Sequence, residues 1–124
     1  MTTIAYREAV QRALREEMRR DPAVFVFGED VADAGGVFKA TKGLLEEFGE
    51  ARVFDTPISE SALAGVAVGA AMMGMRPVVE IMFADFTTIA MDGIVNSAAK
   101  TRFLSAGEFT APLVVRMTYG AGAR

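Results

Sequence analysis

The fourteen residues from Ala62 to Met75, ALAGVAVGAAMMGM, carry no charge, and three of them are glycine. A run this uniform in apolar character has no polar face to offer water, so as a helix it must be covered on most sides. It is shorter than the ~20 apolar residues that cross a bilayer, which points to a helix buried in a packed domain. It sits inside a longer stretch, Asp55 to Phe86, that organises the chain. A polar turn ends in Ser59-Glu60, the Ala/Gly/Met helix follows, and an apolar strand runs from Val78 to Phe83. Ser59 is placed to cap the helix, and Glu60 stands in its first turn, where an acidic side chain complements the helix dipole. That placement suits either ordinary helix chemistry or a catalytic carboxylate. Gly65 and Gly69 are four apart on one helical face, and each costs about 1 kcal/mol relative to alanine. They allow close approach of a backbone, either this domain's own sheet or another subunit.

The rest of the chain alternates helix and strand. Tyr6, Ala9, Val10, Ala13, Leu14 and Met18 recur at helical spacing, with Thr2 or Thr3 as cap and Asp21-Pro22 as terminator. Ala23 to Phe27 is a short unbroken apolar run, as in a parallel strand buried on both faces. It stops at Gly28-Glu29-Asp30, which puts two carboxylates at a strand's carboxyl end, where open α/β sheets collect ligands. A turn at Asp33–Gly36 leads to a short helix, Thr41 to Phe48, closed by Gly49. Arg52 to Phe54 reads as a second strand. Gly74 and Pro77 bracket the end of the Ala/Gly helix, Asp85 caps a helix from Phe86 to about Leu104, and Pro112 to Met117 is a last strand. The expected fold class is α/β, a parallel sheet with helices on both faces.

Composition narrows the function. Thirteen basic and sixteen acidic residues leave a net charge of −3, which gives no reason to expect nucleic acid or an anionic membrane as partner. Cysteine and histidine are both absent, so there is no disulfide framework, no thiolate metal site and no imidazole base. No metal ligand set is expected in this chain. The amino terminus has no apolar targeting core, which makes the cytoplasm the expected compartment. Hydrophobic residues make up 52% of the chain, enough for a well-filled core or for a surface covered by a partner.

Five blocks, in order, carry a resemblance: GEDV (Gly28–Val31), GGVFKATKGL (Gly35–Leu44), DTPISE (Asp55–Glu60), AGVAVGAAMMGMRPVVE (Ala64–Glu80) and VNSAAKTR (Val95–Arg102). Together they resemble the beta subunit of the thiamine-diphosphate-dependent component of 2-oxoacid dehydrogenase complexes, a group that includes pyruvate, branched-chain and acetoin dehydrogenases. The resemblance implies that residues 1–124 form the front part of a transketolase-like pyrimidine-binding domain, incomplete at its carboxyl end. It implies thiamine diphosphate as cofactor, with Mg2+ held by an alpha subunit. It implies an alpha2beta2 heterotetramer serving a lipoyl-bearing acyltransferase core, with a 2-oxoacid or acetoin as substrate. The Glu of the ISE motif, here Glu60, would hydrogen-bond the aminopyrimidine ring and take part in activating the cofactor. Phe86 would stack on the pyrimidine, with Ile58 and Met82 lining the same pocket and Glu29 near the cofactor. The Glu60-Gly65-Gly69 spacing resembles a pattern that sets this Glu beside a subunit contact. Ile89 stands where pyruvate-type members carry a polar residue, and RMTYGAGAR departs from their RGPNGA pattern towards acetoin-type relatives. The other reading is a non-catalytic pyrimidine-domain fragment or assembly partner.

Overall fold

The computed structural model describes residues 3–120. Helix α1 (Tyr6–Arg20) leads into strand β1 (Val24–Gly28), followed by α2 (Leu44–Phe48) and β2 (Val53–Asp55). Then come α3 (Glu60–Met72), β3 (Arg76–Ile81), a 3-10 turn (Ala84–Phe86), α4 (Thr87–Asp92), a π-helical segment (Gly93–Ala98), α5 (Thr101–Leu104) and β4 (Val114–Met117). The four strands form one parallel sheet in the order β2-β1-β3-β4. Alternation along the strands divides the core between the two faces. Val24, Val26, Val53 and Val78 pack with Met18 of α1 and Leu44 of α2 on one side. Phe25, Phe27 and Val79 pack with Leu63 and Ala67 of α3 on the other. Ile81 continues that second face, meeting Ala64 of α3 and Ala90 of α4. Helices therefore cover both faces, as the alternating pattern implies.

Several boundaries differ from the sequence reading, each for a local reason. Pro77 does not close the Ala/Gly helix but lies in β3, opposite Phe25. The Arg76 N–H bonds the Ala23 carbonyl on the β1 side, so the Pro77 nitrogen points towards β4, whose pairing begins only at Val78–Val114. The missing donor thus costs no ladder bond. At its other end β3 stops at Ile81, and Met82 and Phe83 leave the ladder. Helix α2 starts at Leu44 rather than Thr41, because Gly43 before it is left-handed, with φ 81°. The Thr41 hydroxyl instead donates to the Val31 carbonyl at 2.7 Å, inside the core. The cap of α1 is Ala5, whose N–H is accepted by the Glu8 carboxylate at 3.3 Å, not a threonine. Thr2 lies outside the described residues, as does the Ala121-Gly122 half of the final turn.

The single helix expected from Phe86 to Leu104 is divided. Asp85 lies within the 3-10 turn and does not cap α4, although its carbonyl accepts the Thr88 hydroxyl at 3.2 Å. Past Asp92 the ladder widens, and the Ala99 N–H reaches back five residues to the Ile94 carbonyl. The segment opens where Gly93 crosses α3. A β-carbon on Gly93 would stand 2.7 Å from the Ala64 methyl, so this crossing needs a residue without a side chain.

Candidate active site at the carboxyl ends of the strands

Strands β1 and β3 are neighbours, but their onward connections diverge, β1 leading to β2 on one side and β3 to β4 on the other. Divergence of that kind opens a crevice at the carboxyl ends, where α/β sheets bind ligands. Glu29 leaves β1 there, Met82 leaves β3, and the loop after β2 delivers Ile58 and Glu60 to the same end of the sheet.

Both glutamates are 7% exposed. Glu60 is the first residue of α3, and Ser59 occupies the cap position, but its side chain makes no capping bond, contrary to the expected hydroxyl cap. One oxygen of Glu29, Oε1, is buried without a hydrogen-bond partner. Burial, reinforced by the neighbouring charges of Glu60 and Asp30, pushes the Glu29 carboxyl above the ordinary carboxylate range. Gly28 makes the approach possible, since it has φ 153° and a β-carbon there would lie 2.5 Å from the Glu80 carbonyl oxygen.

The apolar candidates lie on segments that follow β2 and β3, at the same end of the sheet. Ile58 is 79% exposed, a large apolar side chain left in solvent on the DTPISE loop. Phe86 is 41% exposed, and the Phe83 ring lies edge-on to it at 6.1 Å. Met82 is half-buried, and Ile89, one turn into α4, is 53% exposed. Among the described residues no group of three or more His, Cys, Asp or Glu is arranged to hold a metal.

Residues outside the sequence-stated candidates hold these loops together. The Asp55 carboxylate accepts the N–H of Ala32 at 2.8 Å and of Asp33 at 3.3 Å, tying the loop after Glu29 to the loop before Glu60. The Thr56 N–H donates to the Gly28 carbonyl at 2.9 Å. Glu80 and Arg116 form an ion pair between β3 and β4, with Glu80 3% exposed. One signal for that pair was available: a lone acid and a lone base, each inside an apolar strand, and the register sets them opposite each other.

Face α3 decides between the two readings of its glycines as far as this domain is concerned. Its buried residues are Glu60, Leu63, Ala64, Ala67, Val68 and Ala71. Gly65 and Gly69 lie on the opposite face, and a β-carbon on either would meet nothing within 4 Å. The domain's own sheet does not require them.

The chain was compared with known proteins. The family described as "Transketolase, pyrimidine binding domain" matches residues 2–124. The 2-oxoisovalerate dehydrogenase subunit beta of Bacillus subtilis (strain 168) is 55% identical over 98% of this chain and 37% of its own length. The pyruvate dehydrogenase E1 component subunit beta of Rhizobium meliloti (strain 1021) is 54% identical over 100% of this chain and 27% of its own. A solved structure titled "Split gene transketolase, inactive beta4 tetramer" superposes with a TM-score of 0.67 at 27% identity, covering 94% of this chain and 34% of that one. The chain thus spans roughly a third of the length of these relatives. With its parallel sheet, covered faces and residues 2–124 matched throughout, the chain belongs to the transketolase pyrimidine-binding domain family.

Proposed function

We propose that this chain forms the pyrimidine-binding part of the beta subunit of a thiamine-diphosphate-dependent 2-oxoacid dehydrogenase. The observation that carries the reading is the pair of buried carboxyls, Glu29 and Glu60, at the crevice between diverging strands, with one Glu29 oxygen left without a partner. An orphaned buried polar atom is costly and fits a site completed by a ligand. The donor set fits the aminopyrimidine of thiamine diphosphate, which offers ring nitrogens and an amino group along its edge and an apolar face above.

When bound, that cofactor supplies the carbon nucleophile and electron sink for cleaving the bond beside a 2-oxo group. Glu60 would hold the pyrimidine edge and move a proton at its carboxylate. Glu29, whose buried Oε1 has no partner among the described residues, would meet the same polar edge. The Phe86 ring would stack on the pyrimidine, and Ile58 and Met82 would wall the pocket and exclude water. Ile89 adds apolar surface where a proton-relaying side chain has no equivalent.

The whole enzyme would be an alpha2beta2 assembly whose alpha subunit contributes Mg2+ and the diphosphate site, acting on a 2-oxoacid or acetoin and passing the acyl group to a lipoyl-bearing acyltransferase core, in the cytoplasm. The likeness to beta subunits over nearly the whole chain supports the general class, and the uncovered glycine face of α3 supports a subunit contact beside Glu60. Glu60→Gln in the full-length assembly is expected to abolish decarboxylation while leaving cofactor binding largely intact. Turnover at the wild-type rate would remove Glu60 from its assigned role.

A further inference from the structure

The segment carrying Met82 and Phe86 has little of its own to hold it in place. After Ile81 the chain leaves the β-ladder and turns through the three residues Ala84–Phe86 before α4 begins. Its internal bonds are short-range: the Phe86 N–H donates to the Phe83 carbonyl at 3.1 Å, and Thr88 to the Asp85 carbonyl at 3.2 Å. Such bonds keep a turn's shape but not its position relative to the sheet. Among the described residues the Phe86 ring's aromatic contact is the edge of Phe83, which immediately precedes the same turn.

Among the described residues, three bonds tie the turn and the start of α4 to the end of β4. The Thr118 hydroxyl donates to the Met82 carbonyl at 2.6 Å. The Ala84 N–H donates to the Thr118 carbonyl at 2.9 Å. The Thr87 hydroxyl meets the Met117 sulfur at 3.0 Å. Thr118 thus bridges both sides of Phe83, once through its side chain and once through its backbone, and a tie of two bonds across one residue resists both sliding and rotation of the turn.

We propose that Thr118 is a positioning residue for the pyrimidine pocket, its hydroxyl holding the Met82–Phe86 wall in the arrangement that receives the ring. The inference rests on the reading of Met82 and Phe86 as that wall. Thr118 lies at the end of β4, so this fourth strand takes part in building a site whose carboxylates come from β1 and α3. Loss of the hydroxyl leaves the Met82 carbonyl without its donor, and the turn is then held by the Ala84 bond and, from the start of α4, the weaker Thr87–sulfur contact.

The test compares Thr118→Val, which keeps the shape and removes the hydroxyl, with Thr118→Ser, which keeps the hydroxyl, in the full-length beta subunit assembled with its alpha partner. Removing one hydrogen bond that orders a binding wall is expected to raise the thiamine diphosphate dissociation constant about tenfold in Thr118→Val, with kcat at saturating cofactor near wild type. Thr118→Ser is expected to restore affinity. Amide exchange in the cofactor-free protein is expected to accelerate at residues 83–88 in Thr118→Val while the exchange of β1 and β3 stays at the wild-type rate. Unchanged exchange at 83–88, or a serine variant as weak as the valine one, overturns the clamp. Faster exchange at 83–88 with unaltered cofactor affinity leaves the clamp standing but overturns Met82 and Phe86 as the pocket wall, so the two readings fail separately.

Discussion

At the scale of single residues, Glu29 shows how burial alone makes a side chain chemically distinctive. Its carboxyl is pushed up from the ordinary value of 4.5 by desolvation first, then by the charges of Glu60 and Asp30. A raised carboxyl favours the protonated native state, so its contribution to stability is complete below the unfolded value and is lost as pH rises through the folded one. Glu29→Gln, which mimics the neutral form, is expected to be more stable than wild type at neutral pH and level with it in acid. Urea denaturation across pH 4 to 8 checks this, and parallel curves for the two proteins would show that Glu29 is not perturbed. Arg52 has a different kind of importance. Its guanidinium donates to the carbonyls of Met18 at 2.8 Å, Asp21 at 2.9 Å and Val24, and stacks on Phe48, closing the end of α1 against the sheet. Nothing in the spacing of Arg52 sets it apart from an ordinary strand residue, because its carbonyl partners lie 28 to 34 residues earlier and converge only in the fold.

Among the elements, β3 and β4 depend on a charge pair set in an apolar sheet. Glu80 is almost fully buried and Arg116 largely so. Removing one partner strands a buried charge, whereas replacing both with apolar groups of similar volume can be neutral. Arg116→Met is expected to cost about 3–5 kcal/mol, and the double variant Glu80→Met/Arg116→Met is expected to recover most of that loss. Chemical denaturation of the three proteins decides it, and a double variant no better than the single one would point to a packing role for the arginine stem. The helices were legible to different degrees. Helix α1 was legible from its period, although of that stripe only Met18 is buried, and the body of α3 from its unbroken apolar run. The division between α4, the π segment and α5 was not, because it arises where Gly93 meets Ala64 of another helix.

For the molecule as a whole, the surfaces left open are as informative as the core. The outer face of α3 carries Ala62, Gly65, Val66, Gly69 and Met72, all exposed and none charged. Gly69→Leu is expected to leave this domain as stable as wild type or slightly more so, by up to about 1 kcal/mol from helix propensity, since its β-carbon meets nothing. The same change is expected to weaken subunit assembly, seen as a shift to smaller species in sedimentation velocity. Assembly at wild-type strength would place the contact elsewhere. On the opposite side of the sheet, an apolar hollow of about 470 Å³ runs between α1 and the β3–β4 edge, lined by Val10, Leu14, Val78 and Val114.

By itself the amino-acid order determined the alternation of helix and parallel strand, the placement of Glu29 and Glu60 at element ends, and the blocks that mark the family. These are local matters of period, cap and motif, written in neighbouring residues. The tertiary structure alone decided that Asp55 ties two loops 23 residues apart, that Pro77 sits harmlessly within a strand, that Glu80 faces Arg116, and that Thr118 reaches Met82 across 36 residues. A hydrogen bond or ion pair between strands exists only once register and strand order bring its atoms within about 3 Å. Apolar patterning drives the burial of a face, but many sequences share that pattern, and only the assembled sheet selects which polar groups meet at its carboxyl ends.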